Sequence, residues 1–162
     1  QVLKSEISHA RLTALAERLV AVEVEQERRI VYPDQRMLRL LAQHGADRVI
    51  GLSDFYLGER HLRRIIDHAC EGAPFERVFV SADCLVNKMK GRLFAHAQRE
   101  MLAEPMHHTH IGDNEWSDVE SPKRFGVRGL HYLNPDEEPK RVQHRARFEA
   151  RRKARSSPPR ST

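Results

Sequence analysis

The spacing of apolar positions along the chain predicts several amphipathic helices. In residues 8–30, apolar side chains recur every three or four positions, at Leu12, Leu15, Ala16, Leu19 and Val22. That spacing places them on one face of a helix of five or six turns. The same criterion predicts shorter helices that begin near Met37 and end at Gly45, cover residues 59–71 and 91–102, and run from Ser121 to Gly126.

Four apolar runs lack the helical period and predict strands, over residues 48–53, 77–81, 108–112 and 127–133. Short apolar runs bounded by turn residues are typical of strands buried on both faces. Because these runs alternate with the predicted helices, the order indicates βαβ units. We therefore expect an α/β fold with a mostly parallel sheet and helices on both of its faces.

Composition limits the chain to one soluble domain. Its 162 residues are 40% hydrophobic and 31% charged, which is typical of a globular protein. No apolar run approaches the roughly 20 residues of a membrane span, and no signal peptide is evident, so we expect a cytoplasmic protein without a membrane partner. Cys70 and Cys84 give neither a disulfide framework nor a metal spacing, so we expect reduced thiols in or near the core.

The net charge of +5 is concentrated in the last part of the chain. Residues 137–162 hold 9 Lys and Arg against 3 Glu, and the remainder holds 19 basic and 20 acidic residues. From Pro135 onward the pattern predicts a marginal helix, and residues 156–159 a disordered segment or linker. The tail has one aromatic residue, Phe148, and no sequence motif of a nucleic-acid-binding domain. It therefore does not predict a nucleic-acid partner, although a purely electrostatic contact with nucleic acid stays open.

The third predicted strand stops abruptly in a polar turn that carries Asp113 and Asp118. Gly112 permits close approach of the backbone, and Asn114 and Ser117 can hydrogen-bond the turn. An Asp just past an apolar strand of an open α/β sheet is typical of a ligand site. Turn chemistry followed by a helix cap explains the same residues, so this stretch alone leaves both interpretations open.

Other polar residues are expected at the same edge, because the carboxyl ends of parallel strands lie together. A hydroxyl, an ammonium and two carboxylates beside a helix N-terminus suit a phosphate held next to a divalent cation. Ser53 and the following N–H, of Asp54, would bind phosphoryl oxygens, and Lys88 would offset their charge. Asp113 would bind Mg²⁺ and Asp118 would orient the cluster. Alternatively, Ser53 is a turn residue and Lys88 a solvated surface charge.

Between Leu19 and Leu133 the chain resembles the haloacid dehalogenase-like (HAD) hydrolases. Three stretches are similar to the second, third and fourth motifs of that family, the second in its bacterial "SD-aromatic-Y-L" form. They are Ser53-Asp54-Phe55-Tyr56-Leu57, then Ser81-Ala82-Asp83 leading to Lys88 with Gly91, Leu93 and Phe94, and finally His110-Ile111-Gly112-Asp113-Asn114 with Ser117-Asp118-Val119.

The resemblance implies a Rossmann-like three-layer sandwich. It also implies Mg²⁺-dependent hydrolysis of a phosphorylated small molecule through an aspartyl-phosphate. The implied site has catalytic residues Ser53 and Lys88, phosphate-binding residues Ser53, Asp54 and Lys88, the metal ligand Asp113, and supporting residues Asn114 and Asp118.

The resemblance also divides the chain into three parts. Residues 1–32 would be the end of a helical cap, with Glu23 and Glu27 at positions that are often acidic there. Residues 33–134 would form the core and residues 135–162 the basic tail.

The family's first motif is a strand followed by Asp-x-Asp, and no such pair follows an apolar run in this sequence. Because the family places that motif upstream of the cap, and this chain begins at Gln1, we expect residues before it and further domains on either side. The missing strand would lie between those ending in Ser53 and Asp113, leaving a gap of about 9.6 Å, twice the spacing of neighbouring strands. We expect the chain alone to be poorly stable or collapsed there and to lack phosphatase activity.

Two alternatives stay open beside an enzyme. A degenerate relative would keep the phosphate and metal ligands and bind a phosphorylated ligand without turning it over. A transition-metal site would use His107, His108 and His110, of which His108 and His110 share a strand face, although no Cys or further nearby His completes a tetrahedral set.

Overall fold

The computed structural model describes residues 8–140 together with 142, 143, 146, 147 and 149, and in them helices and short strands alternate. The helices are α1 (His9–Ile30), α2 (Gln35–His44), α3 (Glu59–Ala69), α4 (Ser81–Cys84), α5 (Arg92–Met101) and α6 (Ser121–Lys123). The strands are β1 (Ile50–Ser53), β2 (Arg77–Val80), β3 (Thr109–Gly112) and β4 (Arg128–His131). A 3₁₀ turn (Pro105–His107) precedes β3 and a π-helical turn (Glu115–Glu120) follows it.

The four strands form two parallel pairs. β1 pairs with β2, so that Ser53 lies opposite Val80, and β3 pairs with β4, so that Gly112 lies opposite His131. The expectation of parallel strands in an α/β arrangement is therefore confirmed. In place of the single, mostly parallel sheet that the alternation predicts, the described residues form two sheets, with the order β1–β2 in one and β3–β4 in the other. Ladder hydrogen bonds require strands about 4.8 Å apart, and β1 and β3 do not pair at that distance.

Local chemistry explains where the helices start and stop. Asp34 caps α2 by accepting hydrogen bonds from the N–H groups of Arg36 and Met37, at 2.9 and 3.2 Å. Gly45 ends the same helix in the left-handed region, with φ 63°. The predicted long helix, the shorter helices and the four strands are confirmed. Helix α4 was not predicted, because we expected a polar loop after Ser81.

The main hydrophobic core lies between the first sheet and α5. Its buried members are Phe79, Leu93, Ala97 and Met101, and Ile50, Leu52, Cys84 and Val86 pack partly against them. Both cysteines are unbonded and half-buried, and burial raises the pKa of the Cys84 thiol. Cys84 therefore lies beside the core, as the sequence predicted, and the reduced state of the two thiols stays a prediction.

Helix α1 is anchored to the body by its C-terminal half. Val24 is buried at 2% exposure, and the Arg28 guanidinium lies 3.1 Å from Nδ1 of His68 at the end of α3. From His9 to Leu19 every residue of the helix is exposed. None of the described helices has the length and apolar character needed to cross a membrane.

The predicted tail is described in part. Residues 138–140, 142, 143, 146, 147 and 149 are helical, as the pattern after Pro135 indicates. Phe148 and the predicted linker at residues 156–159 lie outside the described residues. The start of the tail contacts the segment after α1, because the Tyr32 hydroxyl donates a hydrogen bond to Glu137.

Candidate functional site

Asp118 lies at the centre of a buried hydrogen-bond network at the carboxyl end of β3. Its side chain is 2% exposed. Oδ1 accepts hydrogen bonds from Lys88 Nζ at 2.7 Å and from His110 Nε2 at 3.1 Å. Oδ2 accepts one from the backbone N–H of Asn114 at 3.0 Å. Both carboxylate oxygens are therefore committed to protein donors.

The network keeps Asp118 ionised. Burial by itself raises the pKa of this carboxyl, but hydrogen bonds from His110 and Lys88, the positive charge of Lys88 and the Asn114 N–H together lower the pKa well below its ordinary value of 3.8. A carboxylate that accepts from His110 requires a proton on Nε2 of that ring. The Lys88 side chain, 15% exposed, thus has a fixed anionic partner.

Glycines in β3 and β4 allow the π-helical turn to lie against the second sheet. A Cβ on Gly112 would fall 2.4 Å from Cγ of Asp118, and a Cβ on Gly129 would fall 2.5 Å from Cα of Val119. The Asn114 side chain caps the turn by accepting from the N–H groups of Trp116 and Ser117, at 3.1 and 2.9 Å. The helix-cap interpretation of this stretch therefore holds for Asn114, while Asp118 takes a different role.

Lys88 joins the ends of the two sheets. Its backbone N–H donates to Oδ1 and Oδ2 of Asp54, just past β1, at 3.0 and 3.3 Å. Its side chain reaches Asp118, beyond β3. The Ser121 hydroxyl, which is fully buried, donates to the carbonyl oxygens of Lys88 and Met89 at 2.8 and 3.1 Å. The loop that carries Lys88 is therefore held by three residues, Asp54, Asp118 and Ser121.

The other predicted site residues flank this network. Ser53 ends β1, and its hydroxyl oxygen accepts from the N–H of Phe55 at 3.2 Å, which is the turn role that the sequence left open. Asp113 follows β3 directly and is exposed, and its carbonyl oxygen lies 3.1 Å from Nε2 of His131. Ser53 and Asp113 each adjoin a residue of the Lys88 network, so the predicted positions share one rim.

His110 and Ser121 belong to this network, and sequence reasoning did not assign them to it. The sequence placed His110 in the stretch that resembles the fourth HAD motif, and it gave the side chain a role only in a histidine metal site. In the structure its ring contacts Asp118 and packs edge-on against Phe94, with centroids 4.9 Å apart. His110 lies two residues before Gly112, on the strand that leads to the acidic turn. That position was the sequence signal that could have placed it near Asp118. Ser121 was predicted only as the first residue of a helix.

A divalent cation at this rim would find few protein ligands. Among the described residues, no group of three or more His, Cys, Asp or Glu side chains is placed to hold a metal ion. The side-chain oxygens of Asp118 and Asn114 accept hydrogen bonds from backbone N–H groups of the turn. Asp113 lies next to them at the rim and is exposed. One carboxylate fits Mg²⁺, which is usually bound by one or two carboxylates together with substrate phosphates and water.

The site thus combines an ammonium group fixed by a buried carboxylate, the end of a strand with a hydroxyl, and an exposed carboxylate on the neighbouring sheet. Such a set can hold an anionic group and orient it. No protein-family model matches the chain, and no curated protein sequence matches it.

Proposed function

We propose that this chain is the C-terminal part of a HAD-like hydrolase, and that the intact protein hydrolyses phosphate esters of small molecules with Mg²⁺. The observation that carries the proposal is the Lys88 ammonium, held 2.7 Å from buried Asp118 at the rim where β1 and β3 end. A positively charged donor in a fixed position suits a phosphoryl oxygen, because charge-assisted hydrogen bonds are the strong ones.

Each neighbour of Lys88 has a role in this proposal. Ser53 and the Asp54 N–H bind phosphoryl oxygens at the end of β1. Asp54 also holds the backbone N–H of Lys88 in place. Asp118 keeps the ammonium oriented, and His110 and the Asn114 N–H in turn orient Asp118. These contacts fix the cation before a ligand binds, which lowers the cost of reorganisation.

The division of the strands into two sheets supports a Rossmann-like core that lacks a central strand. In a doubly wound fold the inner strands are covered on both faces and paired on both edges. All four residues of β1 are only half-buried, whereas Val78, Phe79 and Val80 of the neighbouring β2 are buried. The Lys88 contacts hold the ends of β1 and β3 near each other. A strand between them would complete a three-layer sandwich.

The nucleophile is proposed to lie outside the chain, on that strand. No Asp-x-Asp follows an apolar run in this sequence. Asp113 is the residue that would hold Mg²⁺, whose charge would offset that of the phosphoryl oxygens when bound. The chain alone is expected to bind phosphate and not to turn over an ester.

Calorimetry with inorganic phosphate tests the binding part of this proposal. Lys88→Gln is expected to weaken binding at least about tenfold, equivalent to about 1.4 kcal/mol, because the charged donor is lost. Lys90→Gln is the matched control, since Lys90 lies two residues away on the same loop and is exposed. Circular dichroism confirms that each variant folds. Equal affinities for the wild-type chain and Lys88→Gln would contradict the proposal.

Turnover of an aryl phosphate in the presence of Mg²⁺ tests where the nucleophile lies. No turnover is expected from the 162-residue chain. Turnover that Lys88→Ala abolishes would mean that the chain holds its own nucleophile. A non-catalytic phosphate-binding module is the alternative function, since the sequence lacks Asp-x-Asp. Phosphate binding by a longer natural chain that still does not turn over esters would favour it.

A further inference from the structure

Helix α1 has apolar side chains on two opposite faces. One face lies against α3 and includes the buried Val24 and Val20, which lines a groove together with residues of α3. The other face, which we name the outer stripe, lies about 150° around the helix at 100° per residue. Its members are Leu12, Leu15, Leu19 and Val22, which are 49, 51, 62 and 60% exposed.

The outer stripe has the spacing of a coiled-coil seam. Its residues are separated by three, four and three positions, which is the a and d pattern of a heptad repeat. They run along about 15 Å of the helix, from Leu12 to Val22. Single exposed apolar residues need no explanation, but a continuous row of four on one helix face indicates a partner surface.

We propose that the outer stripe pairs with the same stripe of a second copy of this chain, as a short parallel coiled coil. Because α3 packs on the opposite face of α1, it leaves room for the second helix. The inference depends on α1 alone, so it does not rest on the phosphate site and can fail or hold independently of it.

The charges beside the stripe favour a second copy in parallel orientation. Arg18 and Glu23 flank the stripe on opposite sides and are five residues apart, at the g and e positions. In a parallel pair, Arg18 of each copy meets Glu23 of the other, which gives two ion pairs. In an antiparallel pair with the same stripe in register, Arg18 would face Arg18 of the other copy.

Other contacts of α1 are compatible with this arrangement. Glu25, on the same flank as Arg18, already pairs with Arg28 and Arg29 of its own helix at 3.2 and 3.4 Å. Oε1 of Glu23 accepts a hydrogen bond from the Tyr56 hydroxyl, which holds the carboxylate beside the stripe. Oε2 of Glu23 can still accept from an arginine.

Analytical ultracentrifugation of the whole chain, at about 1–200 μM, tests for the dimer. The expected result is a concentration-dependent rise from 18.8 kDa towards twice that mass. The double variant Leu15→Lys/Leu19→Lys is expected to remain monomeric with unchanged circular dichroism, since both side chains are exposed in the monomer. Leu102→Lys, at a residue 93% exposed and away from α1, is the control that should still dimerise. A wild-type chain that stays monomeric throughout would overturn the proposal.

Charge reversal tests the orientation. Arg18→Glu and Glu23→Arg should each weaken self-association at least about tenfold, because each creates two like-charge contacts across a parallel seam. A mixture of the two variants should associate as well as the wild type, since every cross-seam contact is again attractive. The parallel seam would be ruled out if Glu23→Arg self-associated as strongly as the wild type, or if association did not recover in the mixture.

Discussion

The pairing of Lys88 with Asp118 is a buried ion pair, and such pairs often contribute little to net stability. The desolvation of two charges offsets much of their attraction, and apolar residues of similar volume are often as stable. In this protein the pair lies at the rim where two strands end, and Asp118 accepts three hydrogen bonds. Its placement is therefore better explained by the need for a fixed, charged ammonium than by stability, as the proposed phosphate site requires.

His108, a half-buried histidine, predicts how the protein responds to acid. Burial, with a smaller effect from His110, lowers the pKa of His108 from 6.5 to about 4. As the pH falls below 6.5, the unfolded chain gains a proton at this position, and the folded chain does not until about pH 4. The free energy of unfolding is therefore expected to fall across that window.

Urea unfolding at pH 7 and pH 4.5 measures this effect. His108→Gln should lose less stability between the two pH values than the wild type, because glutamine does not titrate. His44→Gln, at the exposed end of α2, should keep the wild-type difference. If His108→Gln and the wild type respond equally to acid, the neutral state of His108 in the folded protein is contradicted.

Among the elements, β3 and the π-helical turn pack closely only because Gly112 has no side chain. Gly112→Ala would place a Cβ 2.4 Å from both Cγ and Oδ2 of Asp118, which must then move away from Lys88 and Asn114. We expect a loss of about 2–3 kcal/mol in the free energy of unfolding, typical of overpacking, together with weaker phosphate binding.

Gly51→Ala is the matched control for that prediction. Gly51 is the second residue of β1, and its added Cβ would lie 3.3 Å from the methyl groups of Val78, which can shift slightly. Chemical denaturation should show a loss of less than about 1 kcal/mol for this variant. An equal loss for both variants would mean that the contact with Asp118 is not what requires glycine in β3.

The elements that sequence predicted correctly are those set by local pattern. The three-and-four spacing of apolar residues predicts α1, and the apolar run predicts β2. Each pattern lies within a single segment of the sequence. The π-helical turn was not predicted, because it depends on Asn114 as a cap and on glycines in two different strands. The division into two sheets could not be predicted from the periodicity of apolar residues, because that pattern does not show which strands pair with each other. The strand that the family resemblance places between β1 and β3 stays a prediction.

The candidate site was predicted as a set of positions but not as a network. Parallel strands end at one edge, so Ser53, Lys88 and Asp113 could be expected together. The partners of Lys88 could not be assigned from the sequence. A lysine side chain is long and flexible, so its ammonium can reach any of several nearby carboxylates. Asp54 and Asp118 both contact Lys88, one through its backbone and one through its side chain.

At the scale of the whole molecule, Lys88 connects two small sheets that do not pair with each other. A two-stranded sheet is marginal by itself, so the two halves depend on contacts between them. Lys88 and Asp118 supply one such contact, a 2.7 Å ion pair in which the lysine side chain is 15% exposed and the carboxylate 2%. Removing the carboxylate charge leaves the ammonium without its partner, and breaking a buried pair in this way costs about 3–5 kcal/mol.

We therefore expect Asp118→Asn to uncouple the unfolding of the second sheet from the rest. Trp116, the only tryptophan in the sequence, lies in the turn beside Asp118 and its fluorescence reports on that sheet. Far-UV circular dichroism reports mainly on the helices. In the wild type the two urea transitions should coincide, and in Asp118→Asn the fluorescence transition should move to lower urea. Asp67→Asn, exposed on α3, should leave them coincident. Coincident transitions in Asp118→Asn would show that Lys88 does not hold the two halves together.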